Sequence, residues 1–175
     1  MTLNELIQKL LGRAERRAKR NHWEAGAKRI QAAQDDLRAP VHVTFPGVAA
    51  ARQQSQTGVP RLAEGMCLVG VRSCYGIPAS EPDAISAWNA AKKKHPQTDV
   101  ALIPRGYPVF WSGGSHGHGH IAVSAGGGFC WSTDIKRTGF FDKVPIAQIR
   151  SQWGLTLLGW TGDLNGEDVP ARAVE

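Results

Sequence analysis

Two short apolar runs separated by glycines form the clearest pattern along the chain. The runs are Ile121–Ala125 and Phe129–Thr133, and residues 126–128 between them are all glycine. Alternating apolar and β-branched residues around a glycine loop predict a β-hairpin. If the loop is symmetric, His120 and Asp134 face each other across the two strands. A bulge in the loop would shift this register by one residue and break the pair.

The two faces of the predicted hairpin differ in side-chain size. Small residues lie on one face and bulky apolar residues on the other: Ala122, Ser124, Cys130 and Ser132 against Ile121, Val123, Phe129 and Trp131. The bulky face is predicted to point into the core. The small-residue face is predicted to accept a closely packed helix, with His120 and Asp134 at its open end.

Apolar residues at helical spacing occupy other parts of the chain. They predict helices over residues 3–20, 24–38, 67–75, 80–94 and 145–153. Further short strands are predicted over residues 100–103, 109–111, 139–141 and 155–160. Helices followed by an antiparallel sheet define an α+β fold class.

The density of charged and apolar residues predicts three segments. Residues 39–64, which are rich in proline, glycine and glutamine, are predicted to be a connector. The division is a basic helical arm with its linker over 1–58, a compact domain over 59–166 and a loose polar tail over 167–175. The arm is predicted to pack on the domain or on another subunit; the alternative is an electrostatic tether to an anionic surface or nucleic acid.

Charge and cysteine count narrow the function classes. The 175 residues carry a formal net charge of +6, which suggests an anionic partner such as nucleic acid, an acidic membrane or a bacterial wall polymer. No nucleic-acid motif accompanies this charge, so nucleic acid is an unlikely partner. Three cysteines do not form a disulfide framework, and basic residues after Leu11 argue against a signal peptide. No apolar run approaches the ~20 residues of a membrane span.

Cys67 is the best candidate for a nucleophile. It opens a predicted helix, whose free N–H groups are expected to lower the pKa of the thiol. His120 would be the general base, Asp134 would accept the other ring N–H, and the Cys67 N–H would stabilise an oxyanion. The simpler interpretation of a buried cysteine is a small core residue, which is the prediction for Cys74 and Cys130.

The HGHGH run offers a different chemistry. If His116, His118 and His120 lay on one side of a strand, they could bind zinc, copper or nickel. The intervening glycines instead favour a flexible loop, and no acidic residue or cysteine lies in the run. The sequence therefore predicts neither a metal nor a cofactor.

Four segments, GMCLVGVRSCYGIP, SAWNAAKKKH, PRGYPVFWSGGSHGHGHIAVSAGGGFCWSTD and IRSQWGLTLLGWTGDLNG, together resemble a known domain. It is the cysteine peptidase or amidase domain of actinobacteriophage endolysins, akin to the CHAP and NlpC-type peptidoglycan amidohydrolases. The resemblance covers residues 60–166. It implies a papain-like fold in which a nucleophile helix packs on an antiparallel sheet, with Cys67, His120 and Asp134 as catalytic residues.

The resemblance implies a phage peptidoglycan hydrolase, either an endolysin or a virion-associated lysin. Such an enzyme would cleave an amide of the stem peptide or cross-bridge, as an endopeptidase or an N-acetylmuramoyl-L-alanine amidase. It would be made in the host cytoplasm and reach the wall after release, or be carried in the virion. Its basic arm could bind anionic wall polymers or virion proteins, although residues 1–59 match no recognisable wall-binding module. The alternative is a structural tail or capsid protein that uses the fold as a binding module.

Overall fold

The structure is a computed structural model that describes residues 43–57, 61–170 and 173–174. These residues belong to one compact unit, Val43–Glu175. The helices predicted over 3–20 and 24–38 lie outside the described residues.

The described residues form four α-helices and ten β-strands. The helices are α1 (Pro46–Gln56), α2 (Cys67–Tyr75), α3 (Ala84–Ala90) and α4 (Ile146–Trp153). The strands are β1 (Val43–Thr44), β2 (Lys94–Pro96), β3 (Pro108–Ser112), β4 (His120–Gly126), β5 (Phe129–Thr133), β6 (Phe141–Pro145), β7 (Thr156–Thr161), β8 (Asp163–Leu164), β9 (Glu167–Asp168) and β10 (Ala173–Val174). Among these helices none is long and apolar enough to cross a membrane.

Six of the strands build one antiparallel sheet in the order β2-β7-β3-β4-β5-β6. Strands β1 and β10 form a separate pair, as do β8 and β9. Helices combined with an antiparallel sheet confirm the predicted α+β class.

The sheet lies between two apolar clusters, and this arrangement corrects one prediction. Helices α1, α2 and α3 pack on the face that carries Ile121 and Val123. Ala122 and Cys130, on the other face, cluster with Trp111 and α4. The predicted helix on the small-residue face is therefore α4. The Cys67 helix, which the expected contact with His120 would place on that face, packs on the bulky face instead. The bulky side chains bury their area against three helices, and the small ones leave room for the Trp111 indole.

The predicted hairpin is confirmed as β4 and β5. Val123 pairs with Trp131 and Ser124 with Cys130, as a symmetric loop requires. An irregularity follows between Ser124 and Gly126, at the loop itself, so it leaves the register of the inner strand pairs unchanged. Strand β5 ends one residue before Asp134, and this ending matters for the site.

The predicted helix over 67–75 is confirmed, whereas the helix over 80–94 is shorter than predicted. Asp83, not Ser80, caps α3 by accepting the Ser86 N–H at 2.8 Å. At the other end, Asp163 accepts the N–H groups of Lys92 and Lys93, each at 2.8 Å. Those two bonds replace intrahelical ones, so the chain leaves the helix and continues into strand β2.

Four other predicted elements differ from those in the structure. Residues 46–56, predicted as part of a connector, form α1, because Val48 and Ala51 are buried in the core. The strand predicted over 100–103 is a 3-10 helix, Val100–Leu102, whose N-cap is Asp99. The strand expected at 139–141 is β6, which begins two residues later and ends four residues later, and α4 and β7 lie close to their predicted places. The tail is not loose at Glu167–Asp168, which pairs with Asp163–Leu164.

Candidate active site

Cys67 is the first residue of α2, as predicted. Gly65 has a φ of +79°, a conformation that suits glycine and turns the chain into the helix. Met66 precedes the helix and provides no side-chain cap, so the first N–H groups stay available. Cys67 is 8% exposed and lines a pocket of about 460 Å³.

The electrostatics of the thiol differ from the prediction. Burial raises the pKa of Cys67, and hydrogen bonds from the N–H groups of Ile121 and Leu68 lower it by less. The negative charge of Asp134 adds a smaller upward shift to the pKa. The expectation that the helix start would leave a low thiol pKa is therefore wrong, because desolvation disfavours the thiolate more strongly than the helix favours it.

His120 is the first residue of β4 and is 4% exposed. Its ring lies between two indoles, with centroid distances of 5.7 Å to Trp111 and 5.1 Å to Trp153. Burial lowers the pKa of His120 to about 3, so the imidazole is neutral at neutral pH.

A single hydrogen bond orients the His120 ring. The Nε2 atom lies 2.7 Å from the Oγ atom of Ser132. The Ser132 hydroxyl can donate to the carbonyl of Thr133 at 3.3 Å, which leaves its lone pairs for an Nε2–H donor. With that assignment the proton sits on Nε2, and Nδ1 is the basic nitrogen.

Cys67 and His120 line the same pocket but approach it from opposite faces of the sheet. The thiol belongs to the cluster that includes Ile121, whereas the imidazole shares a face with Trp111 and Ser132. They meet at the end of the sheet, because Ile121 directly follows His120 and its N–H faces the thiol. Within the described residues no hydrogen bond joins the thiol to the imidazole. Catalytic hydrogen bonds are often long before a substrate binds.

Asp134 makes no hydrogen bond to the His120 ring among the described residues, so the predicted contact is not observed. Its φ of +65° takes the chain out of β5. Its Oδ1 atom accepts the Gly139 N–H at 2.7 Å, and its Oδ2 atom accepts the Gly65 N–H at 3.4 Å. Asp134 thus ties the turn after β5 to the segment that leads into Cys67.

Ser132 is the site residue that sequence reasoning missed. The pattern did place it on the face of His120, among small residues that were assigned only to packing. Its hydroxyl is buried beside a buried imidazole, where an unpaired polar group would cost free energy. The signal in the sequence that could have identified Ser132 is its hydroxyl, which lies two residues before Asp134 and on the same face as His120.

The glycine-rich loop after β3 forms one wall of the pocket. His118 anchors it, since its Nδ1 atom lies 2.8 Å from Oδ2 of Asp83 and its carbonyl accepts the Ile85 N–H at 2.9 Å. Gly119 donates to the carbonyl of Gly113 at 3.1 Å, which closes the loop on itself. The wall is therefore attached both to the start of α3 and to the end of β3.

The three histidines of the HGHGH run each have a different partner. Ser115 Oγ lies 3.0 Å from the His116 Nδ1 atom, while His118 is bound to Asp83 and His120 to Ser132. In the part of the chain that the structure describes, no group of three His, Cys, Asp or Glu side chains is placed to hold a metal ion.

Comparison with known proteins identified no relative of this chain. No family model matches the chain, and no curated protein or solved structure gives a significant match.

Proposed function

We propose that the protein is a thiol-dependent amide hydrolase with a papain-like arrangement. One observation carries the proposal: Cys67 at the start of α2 and His120 at the start of β4 line a single pocket. The hydrogen bond between Nε2 and Ser132 leaves Nδ1 free to act as a base. These groups match the requirements for nucleophilic acyl transfer.

In the proposed reaction the Cys67 sulfur attacks the amide carbonyl while His120 Nδ1 takes the thiol proton. The imidazolium then gives that proton to the leaving amine, and water hydrolyses the thioester. Because burial disfavours both charged forms, proton transfer accompanies attack rather than preceding it. The Cys67 N–H, at the free end of the helix, stabilises the oxyanion.

Ser132 takes the positioning role that the sequence assigned to Asp134. It accepts the Nε2–H of His120 and so selects the tautomer with a basic Nδ1. Asp134 acts on the nucleophile side by holding Gly65. The proposed constellation is therefore Cys67, His120 and Ser132, with Asp134 as a support for the loop before the helix.

The proposed substrate is the peptide part of peptidoglycan, and the proposed source is a phage lysin. Two features support this choice: the resemblance over residues 60–166 and the net charge of +6. A positive charge favours approach to an anionic wall, so lysis rates should fall as salt is added. Synthesis in the host cytoplasm, followed by release to the wall or packaging in the virion, belongs to the same proposal.

Digestion of purified peptidoglycan tests the proposal directly. The native chain should release new amino and carboxyl termini, identified by mass spectrometry, while Cys67→Ala and His120→Ala should release none. Cys74→Ala is the matched control, since it removes a thiol two turns along the same helix. Normal lysis by Cys67→Ala would overturn the proposal. Activity in excess chelator is expected, and a loss that zinc reverses would contradict the metal-free mechanism.

A binding module in the virion is the second candidate, and one observation favours it. Cys67 and His120 are only 8% and 4% exposed, and no hydrogen bond joins them in the described part of the chain. Such a pair could be inert and serve packing alone. Fractionation of a phage lysate separates the candidates: a tail or capsid protein copurifies with particles, whereas an endolysin stays in the soluble fraction.

A further inference from the structure

A second pocket lies at the far end of the sheet from Cys67. It has a volume of about 590 Å³ and is lined by Lys92, Lys93, Lys94, His95, Tyr107 and Trp160, among others. Strand β7 links the two sites: Leu155, just before it, lines the Cys67 pocket, and Trp160, near its end, lines the second one. The second pocket is therefore separate from the proposed catalytic groups.

The backbone of this pocket is held by one buried carboxylate. Asp163 is 4% exposed and accepts the N–H groups of Lys92 and Lys93 with its two oxygens. Both oxygens accept backbone N–H groups, and the carboxylate keeps its negative charge, which also acts on the Lys93 ammonium. Strand β2 begins at Lys94 and forms an exposed edge of the sheet.

The charges around the pocket are unbalanced. Three lysines face two carboxylates, the buried Asp163 and the exposed Asp168, and Asp168 is paired with Lys93 at 2.5 Å. Lys94 Nζ donates to the carbonyl of Asn89 at 2.8 Å and lies over the Trp88 ring, 6.0 Å from its centroid, so it keeps its positive charge. Lys92 has no side-chain partner among the described residues. One positive charge is therefore left unbalanced, and among the described residues neither Lys92 nor Lys94 has an ion pair that an anion would have to displace.

A flat aromatic platform lies beside these cations. The rings of His95 and Trp160 are stacked, with a centroid distance of 3.8 Å and an interplanar angle of 10°. Tyr107 leans on Trp160 at 4.7 Å and supports it from the side. His95 is exposed, so its outer face is open to a ligand.

We propose that this pocket binds an anionic saccharide chain. One sugar ring packs on the outer face of His95, which Trp160 supports from behind, and carboxylate or phosphate groups on that sugar or its neighbour contact Lys92 and Lys94. A nucleic acid is the less suitable ligand, because single strands are held by several aromatic side chains on which successive bases stack, and here one platform is present. The inference stands apart from the chemistry of Cys67.

Calorimetric titration of the full chain with a defined oligogalacturonate tests this site. The native chain should bind this acidic oligomer, and Lys92→Gln/Lys94→Gln should weaken binding about tenfold, since two exposed ion pairs are lost. Lys136→Gln/Lys143→Gln is the control, because it removes the same charge from exposed lysines elsewhere. It should change affinity less than about twofold. Lys92→Gln alone, at a side chain without a partner, should show a smaller loss in the same direction.

Three results would overturn the proposal. Equal losses in the two double variants would mean that only overall charge matters. Tighter binding of a single-stranded oligonucleotide than of the oligogalacturonate would identify a nucleic-acid surface. Equal binding of inorganic polyphosphate with the same charge would show that no sugar is recognised. Failure of Cys67→Ala to lose lysis would leave this binding result unchanged, so the two proposals fail separately.

Discussion

The Nε2 atom of His120 lies 2.7 Å from the Oγ atom of Ser132. The hydroxyl is on the neighbouring strand and on the same face of the sheet, in surroundings from which water is excluded. A buried hydrogen bond of this kind restrains both the rotation of the ring and its tautomer. It defines which imidazole nitrogen can face the Cys67 pocket.

Ser132→Ala should therefore slow peptidoglycan hydrolysis without abolishing it. Loss of one buried hydrogen bond of ~1 kcal/mol corresponds to about a fivefold lower kcat. KM should change little, because Ser132 does not line the pocket that substrate would enter. Steady-state kinetics on a soluble peptidoglycan fragment measure this.

Asp134→Asn provides the comparison for Ser132→Ala. It keeps an oxygen for the Gly139 N–H and a side chain suited to a φ of +65°. It should cost less activity than Cys67→Ala or His120→Ala. A larger loss of kcat in Asp134→Asn than in Ser132→Ala would mean that the carboxylate, and not the hydroxyl, orients the base.

The buried imidazole should make folding stability depend on pH. The pKa of His120 is about 3 in the folded chain, below its ordinary value of 6.5, so the unfolded chain binds the proton first. Stability from this group is complete above pH 6.5 and is lost as the pH falls toward 3. The free energy of unfolding should fall by up to ~1.4 kcal/mol per pH unit in that window.

Urea unfolding at several pH values measures this dependence in the native chain and in His120→Gln. The variant should show a shallower slope between pH 6.5 and pH 3. Ile149→Val is the control: it removes a buried methylene, costs about 1 kcal/mol and lowers stability by the same amount at every pH. Identical slopes in the native chain and His120→Gln would contradict the burial of a neutral imidazole.

The sequence predicted correctly those helices and strands in which the local pattern of apolar residues matches the side chains that pack into the core. The hairpin, α2 and α4 have regular apolar periodicity, and their ends are marked by glycine or proline. Cys67 and His120 were identified because each lies at the start of such an element. Their meeting at one pocket depends on sheet order, which sequence spacing does not determine.

The predictions that failed depended on long-range contacts. Helix α3 ends early because Asp163, far along the chain, binds the backbone of Lys92 and Lys93. His120 is hydrogen-bonded to Ser132 and not to Asp134, because β5 ends at Thr133, a limit that the hairpin register does not reveal. Burial of Cys67 outweighs the local effect of a helix start on the pKa of its thiol.

Alkylation should separate the three cysteines. Cys67 should react with iodoacetamide before Cys74 and Cys130, because its thiol lines an open pocket. Burial raises the pKa of Cys67, so the rate should keep rising with pH beyond 9.0, the ordinary value. Burial also raises the pKa of Cys74, to about 12. Mass spectrometry of time-quenched peptides gives each rate, and a plateau near neutral pH would show a stabilised thiolate.

Gly119, directly before His120, should tolerate no side chain. Its φ is +68°, and a Cβ atom there would lie 2.5 Å from the carbonyl oxygen of Trp111. Gly119→Ala therefore adds a backbone clash to the strain of a left-handed conformation. Gly117 is the matched control, with a φ of +72° and nothing within 4 Å of a Cβ atom.

Gly117→Ala should cost only the conformational strain, ~1 kcal/mol. Gly119→Ala should cost clearly more in chemical unfolding, and it should also lower kcat, because relief of the clash moves the first residue of β4. Unfolding free energies and hydrolysis rates of the two variants, measured side by side, test this. Equal stabilities of the two variants would show that the Trp111 carbonyl moves away from the added Cβ atom without cost. A normal hydrolysis rate in a destabilised Gly119→Ala would show that the position of His120 does not depend on the conformation of the loop.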